Sequence, residues 1–163
     1  MPPVLDNLQS LSYVWPEAAL IAGVVLIILW DLVSKDRTRV QGIVAITIAA
    51  LTASASLSVV YLLKKLPPLA LFGGLISFDA FSHLFRILFA FVGVVAVIFA
   101  VPSKETGSDR VDRKGAAEFF TLLLIICIGL DFMAMSRNML MVYLSLELVS
   151  IISFVMAGFK INN

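Results

Sequence analysis

Hydrophobic residues along the chain gather in five long runs, which shorter polar segments separate. A helix that crosses the hydrocarbon core of a bilayer needs roughly 20 predominantly apolar residues. The five runs meet that length and predict spans at residues 15–34, 41–63, 81–101, 116–135 and 139–159. The stretch from Ile21 to Trp30 is continuously apolar, whereas strands of a membrane barrel alternate apolar and polar positions. The pattern predicts an all-α, polytopic membrane helix bundle in a single domain, residues 1–163.

Composition excludes the main alternatives to a membrane bundle. Of the 163 residues, 61% are hydrophobic and 14% are charged. A typical soluble domain has about 45–50% apolar and about 25% charged residues. A chain this short has too much surface to hide such an apolar fraction from water. A soluble enzyme and a disordered chain are therefore both excluded.

The placement of charge predicts the orientation. The charges before Asp31 are Asp6 and Glu17, both acidic, so the first span is expected to be a retained helix, not a signal peptide. Lys and Arg concentrate after the first span, after the third span and in the tail, where the residues are Lys35, Arg37, Arg39, Lys104, Arg110, Arg113, Lys114 and Lys160. Because basic loops stay in the cytoplasm, we expect the amino terminus outside and the carboxyl terminus inside. The net charge of +1 gives no sign of a nucleic-acid partner.

Residues that hold metals or cofactors are scarce. Cys127 and His83 are the single cysteine and histidine, so no disulfide and no metal site built on these residues is expected. Cys127 is expected to be a small buried apolar residue. The chain has no glycine-rich phosphate loop and no dinucleotide fingerprint, and Gly73-Gly74, beside Pro67-Pro68, predicts a turn. Any redox cofactor is therefore expected in a partner.

Two spans carry an aspartate near one end. Asp31 lies close to the end of the first span, where an interfacial ion pair with Lys35 is expected. Asp131 lies near the end of the fourth span, where partial hydration is expected. The sequence leaves the role of Asp131 open between structure and function.

Three ionisable residues mark the entrance of the third span. Asp79, His83 and Arg86 fall at spacings of four and three, which place them on one helical face. Arg86 is expected to pair with Asp79 or with a residue of another helix. A structural pair and a proton path both remain open for this group.

Glu147 lies near the middle of the fifth span, too deep for its short side chain to reach the interface. Tyr143 and Ser150 share its helical face and form a polar stripe. Ionisable residues inside a membrane mark ion pathways by default. Glu147 is therefore the main candidate for proton transfer, with Tyr143 and Ser150 as supporting residues, and a protonated carboxyl that clamps two helices is the structural alternative.

Small residues repeat every four positions in the second span. Such stripes let helix backbones approach closely inside a membrane. The two predicted packing stripes are Ala45, Ala49 and Ala53, and Ala50, Ser54 and Ser58.

Several motifs resemble one family. They are the segment 118–124 (EFFTLLL) with Gly129, Met133, Ala134, Asn138 and Leu140, the segment 143–150 (YLSLELVS), the segment 157–159 (AGF), the opening Trp15-Pro16-Glu17, Asp31, and the segment 77–81 (SFDAF). Taken in their order along the chain, these motifs resemble the N subunit of proton-pumping NADH:quinone oxidoreductase, respiratory complex I, and its mitochondrial subunit 2 and plastid relatives. The resemblance covers nearly the whole chain.

The resemblance implies that Glu147 belongs to a proton-translocating channel driven by quinone reduction elsewhere. It implies NADH, flavin, iron–sulfur clusters and quinone in partner subunits, with other membrane-arm subunits and the lipid bilayer as partners. The bacterial inner membrane is the expected location, and an organelle inner membrane or a thylakoid membrane is the alternative.

The family pairs this glutamate with lysines on later helices, whereas this sequence ends at Asn163. We therefore expect one piece of a split or truncated subunit, inactive without its partner. Two other functions remain open, namely a subunit of a multisubunit cation/proton antiporter and a structural assembly subunit.

Overall fold

The computed structural model of the chain describes residues 3–34, 38–100 and 115–158. Its helices are α1 (Asn7–Ser10), α2 (Trp15–Val33), α3 (Thr38–Leu63), α4 (Ala80–Ala100), α5 (Gly115–Met135) and α6 (Met139–Gly158). The helices α2 to α6 are long and apolar enough to cross a membrane, which confirms the five predicted spans and the all-α fold. The second span begins three residues earlier than predicted. The predicted ends of the third and fifth spans, Val101 and Phe159, lie outside the described residues.

Helices α2 to α5 form a four-helix bundle. In this bundle α2 packs against α3 and α5, α3 also packs against α4, and α4 packs against α5. Leu20, Ile43, Val97 and Leu124, one from each helix, lie fully buried in the shared apolar core. Cys127 lies in the same core and is 4% exposed, as expected for a small apolar residue.

One of the two small-residue stripes of α3 packs as predicted. Ala50, Ser54 and Ser58 are buried, whereas Ala45, Ala49 and Ala53 are exposed. The buried stripe meets α2 at Gly23, where a methyl group added to the glycine would lie 2.5 Å from the Ala50 Cβ. The small residues therefore set the close approach of α2 and α3.

Helix α6 lies at the side of this bundle and packs against α5. Ser145 is its one buried residue within Met139–Gly158. Gly129 of α5 makes room for the contact, because a Cβ atom there would lie 2.7 Å from Val149 of α6. A large apolar face of α6 consequently stays exposed.

A short β-hairpin covers one end of the bundle. Strands β1 (Leu69–Leu71) and β2 (Ile76–Phe78) pair antiparallel, and their apolar side chains form a second buried cluster with Met135. Gly73 and Gly74 occupy positive φ angles of 66° and 93° in the connection, which confirms the predicted turn. The hydrophobic runs did not predict the strands, because three-residue strands are too short to show a period.

The amino-terminal segment fixes the hairpin to the bundle. The Leu5 N–H donates to the Ala70 carbonyl at 2.9 Å, and the Ala70 N–H donates to the Pro3 carbonyl at 3.0 Å. The buried Ser10 hydroxyl accepts a hydrogen bond from the Phe72 N–H at 3.0 Å. This end of the bundle is therefore closed by ordered backbone. The starts of α2 and α4 and the end of α5 lie beneath it.

Candidate functional site: buried charges at one end of the bundle and a central glutamate in α6

Asp79 caps the amino terminus of α4. Its Oδ1 accepts hydrogen bonds from the Ser82 N–H at 2.8 Å and the Ser82 hydroxyl at 2.7 Å, and its Oδ2 accepts one from the Ser77 hydroxyl at 2.8 Å. Partial burial raises the pKa of Asp79, but the hydrogen bonds from Ser82 and Ser77 outweigh it, so the pKa lies below its usual 3.8. Asp79 therefore acts as a helix cap in this structure.

Arg86 pairs with Glu17 of α2. The Arg86 Nη2 lies 2.6 Å from the Glu17 Oε1, and both side chains are fully buried. Pro16 helps to place Glu17, since proline is favoured in the first helical turn and the carboxylate follows it directly. The sequence left open a pair of Arg86 with Asp79 or with a residue of another helix, and the structure shows the pair with another helix.

Arg86 makes two further contacts, one within α4 and one to α5. Its Nη1 lies 3.0 Å from the His83 Nδ1, and its Nη2 lies 2.6 Å from the Met135 sulfur. The His83 ring also packs edge-on against Phe78 of the hairpin, with ring centroids 4.4 Å apart. The guanidinium thus ties α2, α4 and α5 together beneath the hairpin.

Asp131 is buried close to this ion pair. It is 2% exposed and lies one helical turn before Met135, whose sulfur contacts the Arg86 Nη2. The expected partial hydration of Asp131 is wrong, because packing of α2 and the hairpin excludes bulk water from this end of α5. Asp131 therefore belongs to the buried charge cluster.

Glu147 is the ninth of the 20 residues of α6 and is exposed on the helix surface. Tyr143 is 60% exposed and Ser150 is half-buried. The predicted stripe of three polar residues is thus present on α6, and the described part of the chain leaves Glu147 uncovered. The structure does not bring Glu147 together with the charges around Arg86, which lie at the end of the bundle.

Asp31 pairs with Arg39 in the described part of the chain. The Arg39 Nε of α3 donates to the Asp31 Oδ1 at 2.5 Å. The expected partner, Lys35, lies outside the described residues. Arg39 thus links the end of α2 to the start of α3.

The sequence reading did not single out Glu17 as a site residue. A signal for it exists, because an arginine buried in a membrane span needs a counter-charge. Glu17 is one of the few acids inside a predicted span. For metals, no group of three or more His, Cys, Asp or Glu side chains suited to holding an ion occurs within 3–34, 38–100 and 115–158.

Fold and site together define the class of protein: a multi-pass helical membrane protein with ionisable side chains within its spans. Comparison with known proteins gives its relatives. The chain is 48% identical over 162 residues to NADH-quinone oxidoreductase subunit N 2 of Sorangium cellulosum, covering 99% of this chain and 32% of that relative. It is 38% identical over 163 residues to subunit N of Anaeromyxobacter sp., covering 98% of this chain and 30% of that relative.

A more distant relative is the F(420)H(2) dehydrogenase subunit N of Methanosarcina mazei, 26% identical over 160 residues. No protein-family model matches the chain. The chain is homologous to NADH-quinone oxidoreductase subunit N, and it spans about a third of the length of the curated relatives it matches.

Proposed function

We propose that the chain forms part of the membrane arm of a proton-translocating NADH:quinone oxidoreductase and contributes Glu147 to the proton path. The observation that carries the proposal is the 48% identity across 99% of the chain to a subunit N protein. In this proposal NADH oxidation, the flavin, the iron–sulfur clusters and quinone reduction belong to partner subunits of the assembly. The proposed location is the bacterial inner membrane, with the amino terminus outside.

The position of Glu147 supports a role in proton transfer. A charged side chain at the centre of a span costs about 2.5–3.5 kcal/mol on insertion scales, so a carboxylate there is rarely without a purpose. Glu147 lies near the middle of α6 and is exposed on a face that other described helices do not cover. A neighbouring polypeptide that covers this face and brings a basic side chain would let the carboxyl group release and take up a proton.

The exposed face of α6 supports a partner on that side. Met139, Leu140, Tyr143, Leu144 and Phe154 are each more than half exposed. We propose that the covering polypeptide is a further part of the subunit or an adjacent membrane-arm subunit. Tyr143 and Ser150 would then line the same interface as Glu147 and hold water molecules beside it.

The test is a Glu147→Gln substitution in the assembled complex within membrane vesicles. Glutamine keeps the size of the side chain but cannot ionise, so NADH-driven proton uptake is expected to fall at least tenfold. Glu118→Gln is the matched control, because Glu118 is an exposed glutamate in the first turn of α5, and it is expected to pump normally.

Co-purification with the partner subunits checks that the variant assembles. Normal proton uptake by an assembled Glu147→Gln complex would contradict a proton-transfer role and leave the structural role. Sodium-dependent proton exchange without NADH would instead indicate a cation/proton antiporter.

A further inference from the structure

The buried ionisable side chains of the bundle lie together at one end. Within the part of the chain that the structure describes, those of Glu17, His83, Arg86 and Asp131 are at most 3% exposed, and no other Asp, Glu, His, Lys or Arg there is buried. They come from α2, α4 and α5: Glu17 and His83 contact Arg86, and Asp131 lies one helical turn from Met135, whose sulfur also contacts Arg86. Ionisable side chains inside a membrane protein are costly to bury, so four of them at one place indicate a function beyond helix packing.

The contact between His83 and Arg86 fixes the charge of the histidine. The guanidinium of Arg86 has only donors, so the His83 Nδ1, 3.0 Å from Nη1, must accept. A protonated imidazole has no acceptor nitrogen, and His83 is therefore neutral with its proton on Nε2. The positive charge of the cluster resides on Arg86 alone.

The two carboxyl groups then outnumber the available positive charge. If Glu17 and Asp131 were both ionised, the cluster would hold one uncompensated buried negative charge, which is strongly unfavourable. Binding of one proton by either carboxyl group makes the cluster neutral. Carboxyl oxygens are available to bind this proton, since the Glu17 Oε2 and the Asp131 Oδ1 are buried without a hydrogen-bond partner in the described structure.

We propose that Glu17 and Asp131 form a second proton-binding site, in which the two buried carboxyl groups together hold one proton beside Arg86. The site lies at the end of the bundle where α2 and α4 begin and α5 ends, away from the middle of α6. It is independent of the proposed role of Glu147. Because Arg86 is paired with Glu17 in the structure, Asp131 is the carboxyl group that holds the proton there, and the cluster is neutral.

A small cavity lies beside the cluster and reaches it at His83. It has a volume of about 40 Å³ and is lined by Tyr61, Lys65, Asp79 and His83 among others. A volume of roughly 10–15 Å³ in this measure holds one water molecule, so the cavity has room for water. The cavity reaches His83, whose Nε2 has no hydrogen-bond partner among the described residues. Water in this cavity would accept a hydrogen bond from the His83 Nε2–H at the edge of the cluster.

The other titratable groups near the cluster do not alter its charge. Tyr61 of α3 lies against the His83 ring, with centroids 5.5 Å apart, and Tyr13 lies against Phe78. Both are phenols and bring no positive charge to the cluster. Asp79 faces the polar end of α4 and is held as a carboxylate by Ser77 and Ser82. Lys65 lines the cavity beside His83, and within the described residues Arg86 is the one cation that forms an ion pair with a carboxyl group of the cluster.

Infrared spectroscopy of the full chain in lipid bilayers tests the proposal, because a protonated carboxyl group absorbs separately from a carboxylate and shifts in D₂O. The parent protein is the Glu147→Gln variant, so that Glu147 does not contribute to this absorption. We expect one protonated carboxyl group at pH 7. Its band is expected to disappear in Glu17→Gln and equally in Asp131→Asn, since the remaining carboxylate then pairs with Arg86.

An Arg86→Gln variant gives the opposite result if the proposal holds. Without the guanidinium both carboxyl groups bind a proton, so the band is expected to double. Each of the three variants has its own expected intensity of the protonated carboxyl band, so any one of them that folds tests the proposal without the other two. Absence of the band in the parent protein, or its persistence at full intensity in Glu17→Gln or Asp131→Asn, would overturn the shared-proton site.

Discussion

Removal of both buried carboxylates is expected to destabilise the bundle by more than the sum of the two single changes. In Glu17→Gln or Asp131→Asn, the remaining acid ionises and compensates Arg86, so each costs about 1 kcal/mol, the value of one hydrogen-bonded contact. In the double variant Arg86 is a buried charge without a counter-charge, which costs about 3–5 kcal/mol. The expected coupling between the two sites is therefore about 2 kcal/mol, within the range seen for residues that share a partner.

Cys127 provides the assay for this coupling. It is the one cysteine of the chain and is 4% exposed in the core, so a thiol-reactive fluorophore labels it only when the bundle opens. Thermal unfolding of the full chain in bilayers is followed by this labelling, with Glu118→Gln as the neutral control. A further Arg86→Met change in the double variant is expected to restore part of the stability, because it removes the uncompensated cation. If the losses of stability of the two single variants added up to that of the double variant, the claim that both acids compensate the charge of Arg86 would be refuted.

Three further changes test separate parts of the fold. Asp79→Ala removes the cap of α4 and should cost about 1 kcal/mol at neutral pH by thermal unfolding. Because the pKa of Asp79 in the folded chain lies below its usual 3.8, this contribution is present above that pH and is lost as the pH falls through the lowered value, so the parent and the variant should converge in acid. Gly23→Ala places a methyl group 2.5 Å from the Ala50 Cβ and should cost about 1–3 kcal/mol, and Ala50→Gly in the same chain should recover most of the loss. Asp31→Asn breaks the pair with Arg39 near the helix ends, and because such partly exposed pairs contribute about 0–1 kcal/mol, the unfolding temperature should change little.

The hydrophobic pattern predicted the spans because a bilayer demands a fixed length of apolar helix. That demand acts on each segment separately, so the five helices can be predicted from the sequence without knowledge of their neighbours. The β-hairpin and α1 obey no such demand. They are held by contacts far apart in the chain, such as the hydrogen bond from Phe72 to Ser10, which no local period reveals.

The position of each charge along its helix was predictable, but its partner was not. Arg86 was expected to find a counter-charge, and the choice of Glu17 depends on how α2 and α4 pack. Asp131 shows the same limit, since its distance from the end of α5 suggested hydration while packing of α2 and the hairpin against α5 buries it. The sequence predicts the position of a residue along its helix, and the arrangement of the helices decides which residues lie beside it.

The central claim is that Glu147 carries protons in an assembled NADH:quinone oxidoreductase. Its most direct test is the number of protons translocated per electron by the purified complex in proteoliposomes, compared between the parent and Glu147→Gln. If Glu147 carries protons, the fully assembled Glu147→Gln complex translocates fewer protons per electron, or loses pumping together with electron transfer. The same ratio at the same rate of quinone reduction in both proteins would contradict it.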